Sequence, residues 1–281
     1  MVPTAGLSFK PIHFEEALAS PAVGLWFEVH AENYMVAGGS RLAMLEALRR
    51  ERPLSLHGVG LSLATAADPD RGHLAALKAL CGRFEPFLVS EHLAWSRSGG
   101  VSFPDLLPFP RTGEALRRVA RNIDIAQTAL GRQILIENPS LYLALEGHEW
   151  SESDFLAELV KRTGCRLLVD VNNVFVSARN LGFAPEAYID ALPVGAIGEV
   201  HLAGHKPDPQ QGDALLIDSH DGPVAEEVWE LYARLLERLG RLPVPTLIER
   251  DGDIPAFEAL MAERNRAASL MRHGGKVPAY A

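Results

Sequence analysis

Short apolar runs that end in a potential metal ligand recur along the chain and constrain its fold more than any other feature. The run 167–169 is followed at once by the acid Asp170 and the amides Asn172 and Asn173. Such a run is typical of a strand buried on both faces of a parallel sheet. A carboxylate at the end of a buried strand is costly unless a positive group meets it, and no Lys or Arg lies within the run to do so.

The same arrangement occurs at the ends of five further apolar runs. The residues at these ends are ones that commonly bind metals, namely His57, His92 (preceded by Glu91), Glu137, His201 and Glu249. Side chains at strand ends converge only if the strands are parallel and share one face. The repeated pattern therefore predicts a parallel sheet with one common polar site.

Strand and helix patterns alternate along the whole chain. Strand candidates cover 5–9, 24–29, 53–56, 87–90, 133–136, the run from 166, 197–200 and 244–248. Helix candidates cover 13–20, 40–50, 71–85, 112–130, 152–163, 185–192, 224–240 and 255–273. Eight alternations predict an α/β protein with a (β/α)₈ TIM barrel, in which functional groups gather at the C-terminal ends of the strands. The length of 281 residues suits one such barrel, so we expect a single domain over 1–281.

Two long segments, 94–110 and 202–223, are predicted to be irregular loops. Loops of this length are usually functional or disordered. The second contains His205 and the unit Asp218-Ser219-His220, which can close a further metal site at the barrel mouth.

Composition limits the partners and the compartment. The formal net charge of −9, with no dense basic block, argues against binding to nucleic acid through phosphates and against an anionic membrane surface. The two cysteines, Cys81 and Cys165, form neither C-x-x-C nor a disulfide framework, and we expect them to be small apolar fillers. The N-terminus has no basic-then-apolar signal pattern and no apolar run reaches membrane-spanning length. We therefore expect a cytoplasmic protein.

Imidazole and carboxylate ligands around one cavity indicate a site for Fe, Mn, Zn or Co, and not a soft thiolate site. Glu137 comes from the middle of the strand order, where one carboxylate can bridge two metals. Adjacent strand residues point to opposite faces, so we interpret His92 as a ligand and Glu91 as a packing or supporting acid. A single His at a strand end is more often a hydrogen-bonded structural residue, but the joint pattern favours a metal centre.

Other polar residues have less specific expectations. Asn138, Glu32 and Asn33 either orient ligands or satisfy backbone groups. Four histidines lie away from the predicted mouth and are expected on the surface, namely His13, His73, His148 and His273. Ser40 precedes an apolar helical pattern, and we expect it to cap the helix.

Eight sequence blocks carry a resemblance to a known family. They are VHAENYM, SLHGVGLSL, SEHLAW, LIENPS, LVDVNNVFVSA, HLAGH, IDSHDGPV and LIERDG. They resemble the signature blocks of the MbnB-like multinuclear iron oxygenases, which act in methanobactin biosynthesis and other cysteine-modifying peptide pathways. The blocks extend from about Gly6 to the last helix. That family is a barrel related to xylose isomerases and endonuclease IV, which agrees with the strand count.

The resemblance implies three metal sites. One iron would be held by His57, His92 and Glu137. A second would be held by Glu137, Asp170, His201 and Glu249. A third would lie with Asn173, Asp218 and His220, and should bind more weakly because Asn173 stands where the endonuclease type has a His. Catalytic roles would fall to Glu137, Asp170 and His201. Leu181 and Gly222 stand where many relatives are expected to have a second His, which leaves substrate contacts, but not the metal ligands, in doubt.

The implied activity is O₂-dependent oxidation of cysteine in a ribosomally made precursor peptide. The cofactor would be two or three iron ions in a mixed-valence Fe²⁺/Fe³⁺ state, with O₂ as co-substrate. Members of the family commonly work with a small partner protein that recognises the leader segment of the peptide. Two other hypotheses stay open: a hydrolase or sugar isomerase that uses Zn or Mn, and a metal-binding protein without catalysis. The net charge of −9 speaks against an abasic-DNA endonuclease.

Overall fold

The strands predicted from the apolar runs close into a ring. The computed structural model of the protein describes residues 4–98, 101–240 and 242–275. Within these residues, eight parallel strands form a barrel in which the last strand pairs with the first. In chain order they are β1 (Ala5–Ser8), β2 (Phe27–His30), β3 (Leu54–Gly58), β4 (Leu88–His92), β5 (Leu135–Glu137), β6 (Arg166–Asp170), β7 (Ile197–Leu202) and β8 (Thr246–Ile248). The predicted (β/α)₈ TIM barrel is confirmed.

Nine α-helices in the described part of the chain surround or flank this barrel. They are α1 (Phe14–Ala19), α2 (Ser40–Glu51), α3 (Arg71–Phe84), α4 (Gly113–Leu130), α5 (Glu152–Thr163), α6 (Val171–Leu181), α7 (Pro185–Ala191), α8 (Glu226–Leu239) and α9 (Phe257–Arg272). α8 shows why they pack: Val228, Leu231, Tyr232 and Leu235 recur with helical spacing and are buried. Over the described residues, no helix combines the length and the apolar character that crossing a membrane requires.

The barrel interior is polar in two layers. Successive strand residues point to opposite faces, so Val200 and Leu202 of β7 pack in the apolar core, while Glu199 and His201 face the interior. The upper layer, at the C-terminal ends of the strands, holds the predicted metal ligands. Below it lies a second layer that includes Glu28, Ser55, Ser90 and Glu199, all buried.

The prediction of two irregular loops is wrong for the described residues. The first segment contains an antiparallel hairpin of Trp95–Ser98 and Val101–Leu107, and the second contains one of Lys206–Asp208 and Gly212–Ile217. Pairing within each segment satisfies the backbone N–H and C=O groups. The sequence gives only a weak signal for these hairpins because their strands are just three to seven residues long. The described residues do not include 1–3, 99–100, 241 and 276–281. All of these belong to the predicted single domain over 1–281, and 99–100 also belong to the predicted 94–110 loop.

Two helix starts differ from expectation. Ser40 is not a cap: the helix begins at Ser40 itself, and Gly39 occupies the capping position without a side-chain hydrogen bond. α6 was not predicted at all. It begins directly after β6 because the Asp170 carboxylate accepts a hydrogen bond from the Asn173 N–H at 2.7 Å, which satisfies one of the free amides of the first turn.

Arg264 joins the last helix to the first strand. Arg264 is 4% exposed, and its guanidinium donates to the carbonyls of Ala5 (2.8 Å) and Val23 (2.7 Å). Replacing Arg264 with methionine leaves buried carbonyls without a donor, so we expect the free energy of unfolding to fall by about 2–4 kcal/mol. Urea denaturation measures this loss.

Arg234→Met is the matched control for this prediction. Arg234 forms a solvent-exposed pair with Asp190, in which both side chains are 45% exposed. Its replacement should cost less than about 1 kcal/mol. Equal losses in the two variants would contradict the role given to Arg264.

Candidate metal centre

The first group of predicted ligands meets at the ends of β3, β4 and β5. The Nε2 atoms of His57 and His92 lie 3.1 Å and 3.2 Å from Oε2 of Glu137. The other ring nitrogens are occupied below: Nδ1 of His57 lies 2.8 Å from the Ser90 hydroxyl, and Nδ1 of His92 lies 3.0 Å from the Gly58 carbonyl. A carbonyl only accepts, so His92 carries its proton on Nδ1 and presents Nε2 to a metal.

A second group shares Glu137 with the first. One ligand atom each from Glu137, Asp170 and His201 lies within 4.8 Å of the others. Glu249 joins them, since its Oε2 is 3.0 Å from Nδ1 of His201. Asn173 braces both acids, because its side-chain amide donates to Oε1 of Glu137 at 3.1 Å and its backbone N–H donates to Asp170. One carboxylate thus stands between two ligand groups, as a bridging ligand must.

Asp218 and His220 approach this bowl from the segment after the second hairpin. Nε2 of His220 is 2.7 Å from Oδ1 of Asp218, and its Nδ1 is 3.5 Å from Oε2 of Glu249. Asn172 on α6 holds Asp218 by a 2.7 Å hydrogen bond and meets Nδ1 of His205 at 2.8 Å. Asp218 and His220 therefore border the second group.

Asn173, the remaining residue implied for the third site, is oriented by other contacts. Its Nδ2 donates to Glu137 and to the carbonyl of Asn138, and neither Asp218 nor His220 is among its hydrogen-bond partners in the described part of the chain. The Oδ1 atom is left over as an unused acceptor.

The charges in the bowl do not balance without cations or extra protons. Burial lowers the pKa of His57, but the adjacent Glu137 carboxylate, together with Glu28, raises it to about 10. Burial likewise raises the pKa of Glu137, yet His92 and His57 lower it to about 2. Burial, and then the charges of Asp218 and Glu137, hold the pKa of Asp170 well above its usual range. The excess of acid is the condition that bound cations relieve.

Unused buried atoms show that these residues fit a metal group. Within the described residues, five atoms of the proposed ligands are buried and lack a hydrogen-bond partner, namely Oε2 of Glu137, Oδ2 of Asp170, Oδ1 of Asn173, Nε2 of His201 and Nε2 of His220. Native proteins rarely leave such atoms unsatisfied. Each belongs to a side chain whose other polar atom is held, so the free atom is the one presented as a ligand.

Asp218→Asn tests the third site. We expect the affinity for one ion to fall by about 10–100-fold, because the ligand loses its charge while the Asn172 contact can persist. Metal content after dialysis, measured by mass spectrometry, should drop by one ion per chain. Asp251→Asn is the control, since Asp251 also contacts His220 (3.3 Å) but is not a predicted ligand. Loss of an ion from both variants, or from neither, would contradict the assignment.

Two buried acids of the lower layer, Glu28 and Glu199, were not predicted. Nε2 of His201 lies 3.1 Å from Oε1 of Glu28 and 3.7 Å from Oε1 of Glu199. A sequence signal exists: both acids stand two residues before a strand-end His, in FEVH and GEVH. Residues two apart in a strand share a face, so each acid lies beneath its His.

The residues that were expected to support the ligands make different contacts. Glu91 faces away from the bowl and accepts from the Leu61 N–H at 3.2 Å. Asn138 braces the Asp170 backbone through both its amide atoms.

The prediction of a surface position is wrong for His13 and for His73. His13 is buried against Phe257 and meets the Pro255 carbonyl, and His73 packs 3.3 Å from Glu32. Contacts with distant parts of the chain bury both side chains. Their positions in helical sequence patterns do not reveal such contacts.

A (β/α)₈ barrel whose C-terminal mouth gathers imidazoles and carboxylates around a shared glutamate defines the class of metal-dependent barrel enzymes. The family is narrower than this class. The profile of the RiPP precursor modification enzymes MbnB/TglH/ChrH matches residues 4–272, so the chain belongs to that family. The resemblance read from the sequence blocks is confirmed.

Relatives match nearly the whole chain, and solved structures share its fold. UPF0276 proteins of Caulobacter vibrioides (strain NA1000 / CB15N) and Caulobacter sp. (strain K31) are 65% and 68% identical, covering 98% and 96% of this chain and 97% of each relative. D-psicose 3-epimerase of Clostridium cellulolyticum superposes with a TM-score of 0.59 at 10% identity, over 98% of this chain and 100% of that one. Endonuclease IV of Thermus thermophilus gives 0.58 at 18%, over 97% and 98%. The structural likeness shows the fold alone.

Proposed function

We propose that this protein is a multinuclear iron enzyme that uses O₂ to oxidise a cysteine residue of a ribosomally made precursor peptide. The observation that carries the proposal is the position of Glu137, whose unused Oε2 faces His57 and His92 and which also lies within the Asp170–His201 group. Membership of the MbnB/TglH/ChrH family supports the peptide substrate.

This arrangement supports the ligand sets of the proposal. His57, His92 and Glu137 would hold one ion, and Glu137, Asp170, His201 and Glu249 a second. Asp218 and His220, with Asn173, would hold a weaker third. Iron bound there would supply electrons for O₂ and lower the pKa of a substrate thiol. Ser90 and Gly58 hold the rings of His57 and His92, and Asn173 holds Glu137, so the ligands need little reorganisation.

The two hairpins and the loop after β5 would shape the peptide site. The first hairpin borders a cavity of about 550 Å³ that Glu32, Gly60, Phe103 and Leu106 line in part. The first hairpin and the loop after β5 each carry a partly exposed aromatic side chain. Phe103 and Tyr142 are both 39% exposed. A cavity lined by both polar and apolar side chains suits an extended peptide that is held by its backbone and presents one reactive side chain.

A small partner protein that recognises the leader segment and a cytoplasmic location belong to the same proposal. The partner is what the family resemblance implies, and the location rests on the sequence features given above. The partner would position the precursor so that its cysteine reaches the bowl, while the barrel would supply the ligands.

The proposal is tested by purifying the protein anaerobically and reconstituting it with Fe²⁺. The loaded protein is then exposed to O₂ together with the cysteine-containing peptide encoded nearby. We expect two or three iron ions per chain, Mössbauer signals of coupled iron, O₂ uptake and a mass change of the peptide. A cysteine-to-serine peptide and the Asp170→Ala variant should show neither uptake nor mass change. At most one iron per chain, or full activity of Asp170→Ala, would refute the proposal. Turnover without O₂ would instead favour a hydrolase or isomerase.

A further inference from the structure

His205, the last residue of the HLAGH block, is not one of the proposed metal ligands but is linked to one of them by hydrogen bonds. Its Nδ1 lies 2.8 Å from Oδ1 of Asn172, which is fully buried. Nδ2 of Asn172 in turn donates to Oδ1 of Asp218 at 2.7 Å. Three side chains in a row therefore connect His205 to a proposed ligand of the third metal site.

The direction of both hydrogen bonds follows from the chemistry of the three groups. A carboxylate that binds a metal is ionised and can only accept, so the amide of Asn172 must turn its NH₂ group towards Asp218. The amide oxygen then faces His205, and because this oxygen can only accept, the imidazole must donate from Nδ1. An amide turned the other way would place its oxygen against the carboxylate. The proton on Nδ1 of His205 thus fixes the orientation in which Asn172 holds Asp218.

The fold holds His205 close to both charged ligands of the third site. Its ring packs on Phe175, with 5.0 Å between the ring centroids. The preceding residue, Gly204, lies so close to the chain at Gly222 that a Cβ atom would collide with the Gly222 carbonyl. The Gly204 carbonyl also accepts from the backbone N–H of His220 at 3.0 Å. The segment that carries His205 is therefore joined to the segment that carries Asp218 and His220.

We propose that His205 is a positioning residue of the third metal site: its Nδ1–H orients the amide of Asn172, which then holds Asp218 in place as a ligand. The inference rests on the third site of the proposed function, but on neither iron, O₂ nor a peptide substrate. The alternative is that the ring of His205 only packs against Phe175, and the two roles can be separated by substitution.

Two variants divide the hydrogen bond from the packing. His205→Phe keeps an aromatic ring beside Phe175 and removes the donor. His205→Asn removes the ring and keeps an N–H group on the atom bonded to Cγ, in the position of Nδ1. The full chain is loaded with Zn²⁺, and competition with a chromophoric chelator gives the affinity of each bound ion. Thermal unfolding of the metal-free proteins shows whether either substitution disturbs the fold.

We expect the loss to be confined to one ion and to the variant without a donor. In His205→Phe the weakest-bound ion should bind about 3–10-fold more weakly, as the loss of one hydrogen bond of ordinary strength predicts. The other ions should keep their affinities, and His205→Asn should retain most of the affinity for all of them. In an Asn172→Leu background, His205→Phe should cause no further loss, because its effect passes through Asn172.

Four results would overturn the inference: an unchanged affinity in His205→Phe, equal losses in His205→Phe and His205→Asn, a loss spread over all the ions, or an additive loss in the Asn172→Leu background. Should His205→Phe fail to fold, nitrogen-15 NMR of labelled histidine in the wild-type protein decides. A proton on Nδ1 of His205 supports the inference, and a bare Nδ1 with the proton on Nε2 refutes it.

Failure of this inference is distinguishable from failure of the proposed function. Wild-type protein that takes up only two ions has no third site, which overturns the role of His205 and leaves a two-ion enzyme standing. Uptake of at most one ion would overturn both.

Discussion

Glu137→Gln is expected to weaken at least two bound ions and to reduce turnover by at least about 100-fold. Glu137 is the one side chain shared by the two ligand groups, and its Oε2 is 3.1 Å and 3.2 Å from the two histidines. Glutamine keeps the size of the side chain and the oxygen that accepts from Asn173, but it removes the negative charge. Metal content after reconstitution and O₂ uptake measure the two effects.

Glu91→Gln is the control for this change. Glu91 and Glu137 are each 1% exposed and lie at the ends of neighbouring strands. Burial, and then the charge of Glu32, hold the pKa of Glu91 well above its usual range, so a neutral amide removes no ligand charge, at the cost of one of the two backbone N–H bonds that Glu91 accepts from Leu61 and His92. We expect Glu91→Gln to keep its metals. A Glu137→Gln protein that retains two ions, or equal losses in both variants, would show that burial rather than ligation makes Glu137 important.

The second large effect is on the pH dependence of metal binding. In the metal-free protein, Glu137 raises the pKa of His57 to about 10 against the lowering effect of burial. A ligand histidine must be neutral, so binding displaces this proton. Raising the pH removes the competing proton, and the apparent affinity should rise about tenfold per pH unit for that proton between roughly pH 6.5 and pH 10.

The stability of the metal-free protein should follow the opposite trend. A histidine whose pKa is raised on folding contributes stability that is fully present below its unfolded pKa and is lost as the pH rises to its folded pKa. The His57–Glu137 pair should therefore weaken from about pH 6.5 to pH 10. At the acid end, Glu137, with a pKa lowered to about 2, contributes stability that is lost as the pH falls from its usual value towards 2.

Chelator competition at several pH values, together with thermal unfolding of the metal-free protein, measures both trends. Glu137→Gln is the informative variant here as well, because without the carboxylate the pKa of His57 should fall and both slopes should flatten. A metal affinity that does not change between about pH 6.5 and 9 would show that His57 is neutral before the ion binds, and would contradict the ion pair with Glu137.

Much of this protein can be predicted from sequence because its signals are local. The apolar runs predict strands, their alternation with amphipathic segments predicts the barrel, and the parallel arrangement brings His57, His92, Glu137 and His201 to one mouth. Each inference depends only on residues close together in the chain and on a general rule about where parallel strands end. The same short blocks identify the family.

Pairing between distant segments decided what the sequence did not. The burial of His13 depends on Pro255 and Phe257, far along the chain, whereas the hairpins at 95–107 and 206–217 pair locally through strands too short to give a clear sequence signal. The lower polar layer needs the closed barrel, since Glu28 on β2 reaches His201 on β7 only across the interior. Which oxygen of Glu137 or Asp170 is left free depends on Asn173, brought into place by a helix that was not predicted. Residue identity determined the kinds of ligand present, and the tertiary structure determined which atoms they present to a metal, because hydrogen bonds from neighbouring strands and from α6 hold the other polar atoms of His57, His92, Glu137 and Asp170.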